Sequence, residues 1–228
     1  MTAQQSRLFS IRAPLVAACL LLTAGNSAFA STIVGAQSGV INSGGPGSGS
    51  ITDTLDQSGL FTGYTSGVTD FDSYIAGNPQ HSLVFSGNEW FSNQGSSTAS
   101  VTYDLGSSLF LDNFALWNED AAGIGTFDLL GSQNGSSFSS LLSGVSPTNT
   151  TNNADYGPQT FGFSSTNARF LRLDMSDCPQ QPGLFNGCAI GEVAFRTSAA
   201  ADVPGPAPLA LLGIGMLGIS LARRWARP

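Results

Sequence analysis

The chain has 228 residues with eight Arg, no Lys and fifteen acidic residues, which gives a formal net charge of −7 at pH 7. All fifteen acidic residues lie between positions 31 and 202, and only three Arg residues accompany them there. Because binding to nucleic-acid phosphates requires Lys and Arg side chains, this composition excludes nucleic acid as a partner. Divalent cations and neutral sugars stay compatible with it.

The first thirty residues have the composition of a secretory signal peptide. Two Arg residues precede an apolar stretch at 14–24, which is too short to span a bilayer. Ala28 and Ala30 then give the small-x-small pattern at which signal peptidase cuts. The sequence therefore predicts a cleaved signal peptide over 1–30, a mature chain that begins at Ser31, and export from the cytoplasm. An uncleaved membrane anchor is the alternative.

The exported part of the chain has the pattern of one all-β domain. Residues 31–50 are rich in Gly and Ser, which predicts a loop or flexible lead-in, and the domain itself is predicted over 51–198. A short helix is expected at 70–76, with Asp70 or Asp72 as its cap. Short apolar–polar alternations separated by Gly- and Asn-containing turns predict a β-sandwich. Its predicted strands are 101–105, 111–117, 126–130, 160–163, 169–175 and 190–195.

Two Cys residues are left after the predicted cleavage. Cys178 and Cys188 stand ten positions apart in an exported chain, so we expect them to form a disulfide. Closing a loop of this length stabilises the folded state by roughly 3 kcal/mol in the chain-entropy model. A zinc site would need more His or Cys ligands than the chain offers.

The C-terminal segment combines an apolar run with a cluster of Arg residues. Residues 207–222 carry no charge, and Arg223, Arg224 and Arg227 follow them. As a helix the run would extend about 24 Å, against a hydrocarbon core of about 30 Å, so it could cross a membrane with local thinning. The Arg residues would then stay in the cytoplasm, and the preceding domain would lie outside.

A short Pro motif stands directly before this run. Val203, Pro204, Gly205 and Pro206, followed by the apolar run and the Arg cluster, resemble the PEP-CTERM sorting signal of Gram-negative bacteria. The family motif usually has Glu at the position of Gly205. The resemblance covers 203–228 and implies that an exosortase, an integral membrane enzyme, recognises and removes this tail. The chain would be membrane-associated before processing and would then reach the cell surface or extracellular matrix; a permanent single-pass anchor is the alternative.

Five segments of the predicted domain occur in the order of a known family. They are 103–106, 114–118, 127–138, 168–173 and 190–195. In this order they resemble the galactose-binding-like jelly roll, which is the discoidin or coagulation factor 5/8 type C family. The resemblance implies a single eight-stranded jelly-roll sandwich, whose loops often bind sugars or lipid headgroups.

The same resemblance implies a structural calcium ion. Members of the family commonly hold calcium beneath their binding loops, with carboxylates from an early loop and a Glu on the final strand as ligands. In this chain those roles would fall to Asp53, Asp56 and Ser58 in a Gly-punctuated loop and to Glu192 in the last strand. Calcium takes six to eight oxygen ligands, several of which such a cluster would supply. An acidic surface loop and a solvent-facing Glu are the alternative.

Aromatic side chains are the candidates for sugar binding, because a sugar site places an aromatic ring against the apolar face of a pyranose. Trp90 and Phe91 follow a polar Ser-Gly-Asn-Glu segment and are therefore predicted on an exposed loop, whereas Trp117 ends a strand and is compatible with the core. Packing in the core or at its rim is the alternative for every candidate. The candidates are Tyr64, Tyr74, His81, Trp90, Phe91 and Trp117.

The sequence offers no catalytic residues. It has one His, no Lys and no Gly-x-Ser-x-Gly elbow, and none of its many possible carboxylate pairs is singled out for glycoside hydrolysis. Because PEP-CTERM systems accompany exopolysaccharide production, the resemblance implies a non-enzymatic binding or structural role in that matrix. A neutral exopolysaccharide is the expected partner. A polysaccharide hydrolase and a ligand-free matrix spacer are the alternatives.

Overall fold

The computed structural model describes residues 31–148, 150, 153–180 and 185–198. Within those ranges no helix combines the length and the apolar character that crossing a bilayer requires. Several predictions concern residues outside them: the signal peptide with Ala28 and Ala30, and the sorting signal with Val203, Pro204, Gly205, Pro206, Arg223 and Arg224.

The described residues form eight strands and three short helices. The strands pair antiparallel in the order β1-β8-β4-β7-β5-β6, with β2 added to β4 and β3 added to β8. In chain order the elements are β1 (Ile33–Val34), β2 (Ser38–Ser43), a 3-10 helix (Ile51–Thr54), α1 (Phe71–Ala76), a second 3-10 helix (Val84–Ser86), β3 (Trp90–Phe91), β4 (Ala99–Asn118), β5 (Thr126–Ser132), β6 (Ser139–Val145), β7 (Gln159–Ser176) and β8 (Ala189–Thr197).

The long strand β4 belongs to both layers of the sandwich. Its first half pairs with β2 and with the end of β7, and its second half pairs with β8 and with the start of β7. The register shifts between Asp104 and Leu109, where Gly106 has a φ of +79°. This left-handed glycine lets the chain turn from one layer into the other without leaving the ladder. The predicted all-β jelly-roll sandwich is therefore confirmed, and the strands predicted at 101–105 and 111–117 are one strand.

The loop predicted over 31–50 is partly wrong, because β1 and β2 lie within it. In β2, Gly39 pairs with Tyr103 and Ile41 pairs with Val101, so a Gly- and Ser-rich segment is held by its partner strand and not by its own β-propensity. These two strands extend the sandwich to positions before residue 51. The remaining predicted strands lie within observed ones.

The predicted helix is confirmed as α1. The carboxylate of Asp70 accepts a hydrogen bond from the backbone N–H of Ser73 at 2.8 Å, which is an N-cap contact. Asp72 lies in the first turn and forms an ion pair with Arg196 at 2.9 Å. Both carboxylates therefore have structural partners.

Apolar side chains pack on both faces of the layer that contains β8. Because successive residues of a strand point to opposite faces, Val193 and Phe195 enter the cluster between the two layers, whereas Ala194 enters a second cluster on the outer face. Tyr64 and Phe71 belong to this second cluster. The excursion between β2 and β3 thus covers the outer face, which explains why β8 is buried almost along its whole length.

The two ends of the sandwich differ. At one end the first and last described strands meet, and Thr197 N–H donates to Thr32 O at 2.9 Å. At the other end, five segments of the chain hydrogen-bond to one another through the pairs Asn93–Gly44, Gly95–Asn186, Cys178–Ser97 and Gln180–Ala122. We call this second end the loop end; it comprises 44–50, 92–98, 118–125, 177–180 and 185–188.

Candidate functional site

The two tryptophan candidates are core residues. Trp90 and Trp117 are both 0% exposed, and their indole N–H groups donate to backbone oxygens of Pro46 and Pro79 at 2.9 and 2.8 Å. The prediction that Trp90 lies on an exposed loop is wrong, because β3 pairs with the start of β8 and turns the ring into the core. Neither ring is available to a ligand.

Three further candidates are also buried. Tyr64 and Tyr74 pack edge to face with ring centroids 5.4 Å apart, and the Tyr74 hydroxyl donates to the carbonyl of Thr62. His81 stacks on Tyr156 at 4.9 Å and is 0% exposed. These side chains support the outer cluster and its cover, and the structure does not bring them to a surface.

Phe91 is the predicted sugar-binding candidate that reaches the surface. It lies half-buried at the loop end, where its ring packs against that of Phe185 with centroids 4.8 Å apart and an interplanar angle of 66°. The exposed side chains of Asn93 and Asn186 come from the same loops. We call these four residues the aromatic rim. They combine half-buried ring surface with exposed amide side chains on the same loops, and sugar sites use both kinds of group.

Asn93 positions the loop beside the rim. Its side-chain oxygen accepts from Gly47 N–H at 3.0 Å, and its side-chain nitrogen donates to Gly45 O at 2.7 Å. These bonds leave one amide hydrogen and one oxygen lone pair for a ligand. A Cβ at Gly47 would lie 1.7 Å from the carbonyl oxygen of Phe91, so only glycine permits this close approach.

The predicted disulfide between Cys178 and Cys188 is confirmed, with the two Cα atoms 4.8 Å apart. It joins the end of β7 to the residue before β8 and closes the loop that carries Phe185 and Asn186. The cross-link therefore limits how far these two rim residues can move away from Phe91.

The residues proposed for calcium do not form one ligand set. Asp53 accepts from Ser50 N–H in the capping box of the first 3-10 helix, and Asp56 accepts from Ser58 N–H. Among the described residues no group of three His, Cys, Asp or Glu side chains converges as metal ligands would. Asp53 and Asp56 each accept a hydrogen bond from a backbone N–H group within a local turn.

Of the residues proposed for calcium, Glu192 has the surroundings that best fit a metal ligand. It is fully buried, one carboxylate oxygen accepts from Gln57 N–H at 3.0 Å, and the other has no protein partner. The Asp56 carboxylate lies near enough to contribute, after burial, to raising the pKa of Glu192. These two residues are the ones that would hold a calcium ion.

Calcium binding stays a prediction that melting curves can check. If Glu192 and Asp56 hold the ion, we expect calcium to raise the melting temperature and a chelator to lower it. The substitution Glu192→Gln removes a charged ligand and should abolish that response. Melting curves of the unaltered protein that coincide in calcium and in chelator would contradict the prediction.

Sequence reasoning missed Phe185 and Asn186, although one signal could have found them. Both residues stand between the two Cys residues, and the disulfide was predictable. A short cross-linked loop in a sandwich is an exposed segment with restricted motion, which suits a binding surface.

No protein-family model and no curated protein matches the chain. Among solved structures it is similar to chitosan-binding module 1 of a chitosanase/glucanase from Paenibacillus sp. IK-5, at 15% identity and a TM-score of 0.45 over 71% of this chain and 95% of that one. It is similar to CBM32 of AlyQ in complex with 4,5-unsaturated mannuronic acid, at 18% identity and a TM-score of 0.44 over 72% and 96%. CpGH89CBM32-5 from Clostridium perfringens, in complex with GalNAc-beta-1,3-galactose, matches at 18% identity and a TM-score of 0.38 over 47% and 73%.

Proposed function

We propose that the domain binds a neutral polysaccharide at the loop end, with Phe91 and Phe185 as the aromatic platform and Asn93 and Asn186 as hydroxyl-binding groups. The observation that carries the proposal is the half-buried pair of rings at the loop end, on loops that also carry two exposed amide side chains. Of the candidate rings, Phe91 is the one that a ligand can reach. Its partner Phe185 is fixed by the disulfide loop.

Ring chemistry supports a sugar as the ligand. The face of an aromatic ring is an apolar, electron-rich surface, so an accessible face of Phe91 or Phe185 would fit the C–H face of a pyranose. The amides of Asn93 and Asn186 supply donors and acceptors for the hydroxyl groups that surround that face.

Charge supports a neutral ligand. The three described Arg residues are committed to carboxylates away from the rim: Arg169 to Asp104 at 2.8 Å, Arg172 to Asp174 at 3.1 Å, and Arg196 to Asp112 and Asp72. The rim side chains themselves carry no charge. A polyanionic glycan would therefore meet an acid-rich domain with no cation at the proposed site.

The same four side chains favour binding over catalysis. General acid–base chemistry needs a titratable group within hydrogen-bonding reach of the substrate, and none of the rim residues is titratable. We infer a non-enzymatic role at the cell surface or in an extracellular matrix. The disulfide supports an oxidising compartment, and the signal-like and sorting-like ends of the sequence support export.

Affinity electrophoresis in gels that contain neutral polysaccharides tests the proposal. We expect retardation of the protein, and the double substitution Phe91→Ala with Phe185→Ala should weaken binding at least tenfold, because hot-spot aromatics contribute more than 1.4 kcal/mol. Phe110→Ala is the matched control, since Phe110 is 56% exposed near the end of β8 and far from the loop end. Retardation that the double variant retains, or that no neutral polysaccharide produces, would sink the proposal.

A further inference from the structure

Three carboxylates are buried together beneath the loop end. Glu89 precedes β3, whereas Glu119 and Asp120 follow β4 directly. Their exposures are 1%, 1% and 0%. Besides burial, the charges of Glu119 and Asp120 both contribute to raising the pKa of Glu89, so the three groups lie near one another. Buried acids are rare unless a cation or hydrogen bonds compensate them, so this group requires an explanation.

Asp120 ties three segments together. One of its carboxylate oxygens accepts from Val84 N–H at 2.9 Å, and the other accepts from Asn153 N–H at 2.7 Å. Nearby, His81 and Tyr156 exchange backbone hydrogen bonds of 2.7 and 3.1 Å. The segments around residues 84, 120 and 153 are therefore held to one another through Asp120.

The two Glu residues are compensated differently. Glu119 accepts hydrogen bonds from the N–H groups of Ala121 and Ala122 at 2.8 and 2.6 Å. One oxygen of Glu89 accepts from Asn88 N–H at 3.0 Å, whereas its other oxygen is buried without a protein partner.

No positive charge of the described residues neutralises these three carboxylates. The three described Arg residues pair with carboxylates elsewhere. His81 Nδ1 lies 3.8 Å from Glu89 but hydrogen-bonds Ser82 O at 2.8 Å, and burial lowers the pKa of His81, which favours the neutral ring. The other titratable neighbours, Asp155, Tyr156 and Glu192, are acids as well.

A buried carboxylate without a cation is far less stable than the neutral acid. We propose that Glu89 is held as a neutral carboxylic acid and is a proton-operated lock on the loop end, which closes when Glu89 is protonated and loosens when it ionises. This inference concerns the control of the domain by pH and does not depend on the carbohydrate proposal.

The pKa values of the two buried Glu side chains agree with this geometry. Burial, followed by the nearby Glu119 carboxylate, raises the pKa of Glu89 to about 8, and burial raises the pKa of Glu119 to about 7. Because these folded-state values lie above the ordinary value of 4.5, the folded protein binds more protons than the unfolded chain between those limits. Their contribution to folding stability is therefore complete below about pH 4.5 and is lost as pH rises towards 8.

Glu89 is connected to the aromatic rim directly along the chain. Glu89 is followed by Trp90 and then by Phe91 in β3, and a Cβ at Gly49 would lie 1.9 Å from the Glu89 carbonyl oxygen. Repulsion at Glu89 therefore displaces a strand that the loop at 44–50 contacts closely. Ionisation is expected to loosen the rim before the rest of the sandwich.

Thermal and denaturant unfolding of the full protein between pH 5 and pH 9 tests the lock. For the unaltered protein we expect the unfolding equilibrium constant to rise above about pH 5, by up to tenfold per pH unit for each of Glu89, Glu119 and Glu192, because burial raises all three pKa values. Glu89→Gln keeps the shape of the neutral acid, so it should remove the contribution of Glu89, make this dependence less steep and be the more stable protein at pH 8. Asp177→Asn is the control, because Asp177 is exposed at the same end and has a φ of 54° that Asn accepts.

Three outcomes would overturn the lock. The first is that the stability of the unaltered protein does not fall as pH rises. The second is that Glu89→Gln is less stable than the unaltered protein at pH 8. The third is that adding sodium, potassium, magnesium or calcium removes the pH dependence in the unaltered protein but has no effect on Glu89→Gln. Glu89 would then hold a metal cation in place of a proton.

Discussion

Substituting Trp90 by Ala is expected to lower the free energy of unfolding by about 3–5 kcal/mol, which is the range for truncating a large buried aromatic residue. The ring lies in the cluster between the two layers and is completely buried. Its removal also leaves the Pro46 carbonyl without the indole N–H that it accepts at 2.9 Å. Urea unfolding followed by circular dichroism measures the loss.

Two further variants separate a structural role from a ligand contact. Trp90→Phe fills most of the volume and should destabilise less than Trp90→Ala. Phe110→Ala removes an exposed ring and should change stability by no more than about 0.5 kcal/mol. If Trp90→Ala unfolds at the same urea concentration as the unaltered protein and only loses glycan binding, then the buried position of Trp90 is wrong.

Replacing both Cys178 and Cys188 by Ser is expected to reduce the free energy of unfolding by about 2–5 kcal/mol. The cross-link restricts the unfolded chain and also holds the loop that carries Phe185 at the loop end. Glycan affinity should therefore fall along with stability, and it should fall even under conditions where the variant is fully folded. Unfolding curves and affinity gels on the same samples measure both effects.

A reducing agent gives an independent version of this experiment. Reduction of the unaltered protein should reproduce the stability and affinity of the double Ser variant, because both lack the same cross-link. Full affinity in a folded, reduced protein would show that the disulfide does not position Phe185.

The fold was predictable because short stretches of the sequence carry the signals that indicate it. Strand alternation, turn residues and the segments that resemble a known jelly roll all lie in short stretches, and the observed strands contain the predicted strands. The strand β2 was missed since its Gly- and Ser-rich sequence has little strand propensity, and its pairing with β4 is a contact between residues about sixty positions apart.

The site was less predictable because burial depends on such distant contacts. A polar segment before Trp90 suggested an exposed loop, yet pairing with Ile190 places that ring inside the core. No sequence pattern marks Glu119 and Asp120 as buried, and two of the groups that bond Asp120, the N–H groups of Val84 and Asn153, come from distant segments. By contrast, the Asp70 cap of α1 and the disulfide join residues close together in the sequence, and both were predicted correctly.

Localising a bound glycan on the protein by NMR tests the central claim most directly. Titration of a neutral oligosaccharide into the isotope-labelled protein should shift the side-chain amide signals of Asn93 and Asn186 and the ring signals of Phe91 and Phe185. Residues 133–138, at the opposite end of the sandwich, should stay unchanged. Saturable shifts that are confined to that opposite end, or no shifts for any neutral oligosaccharide that the gels identify, would contradict the account.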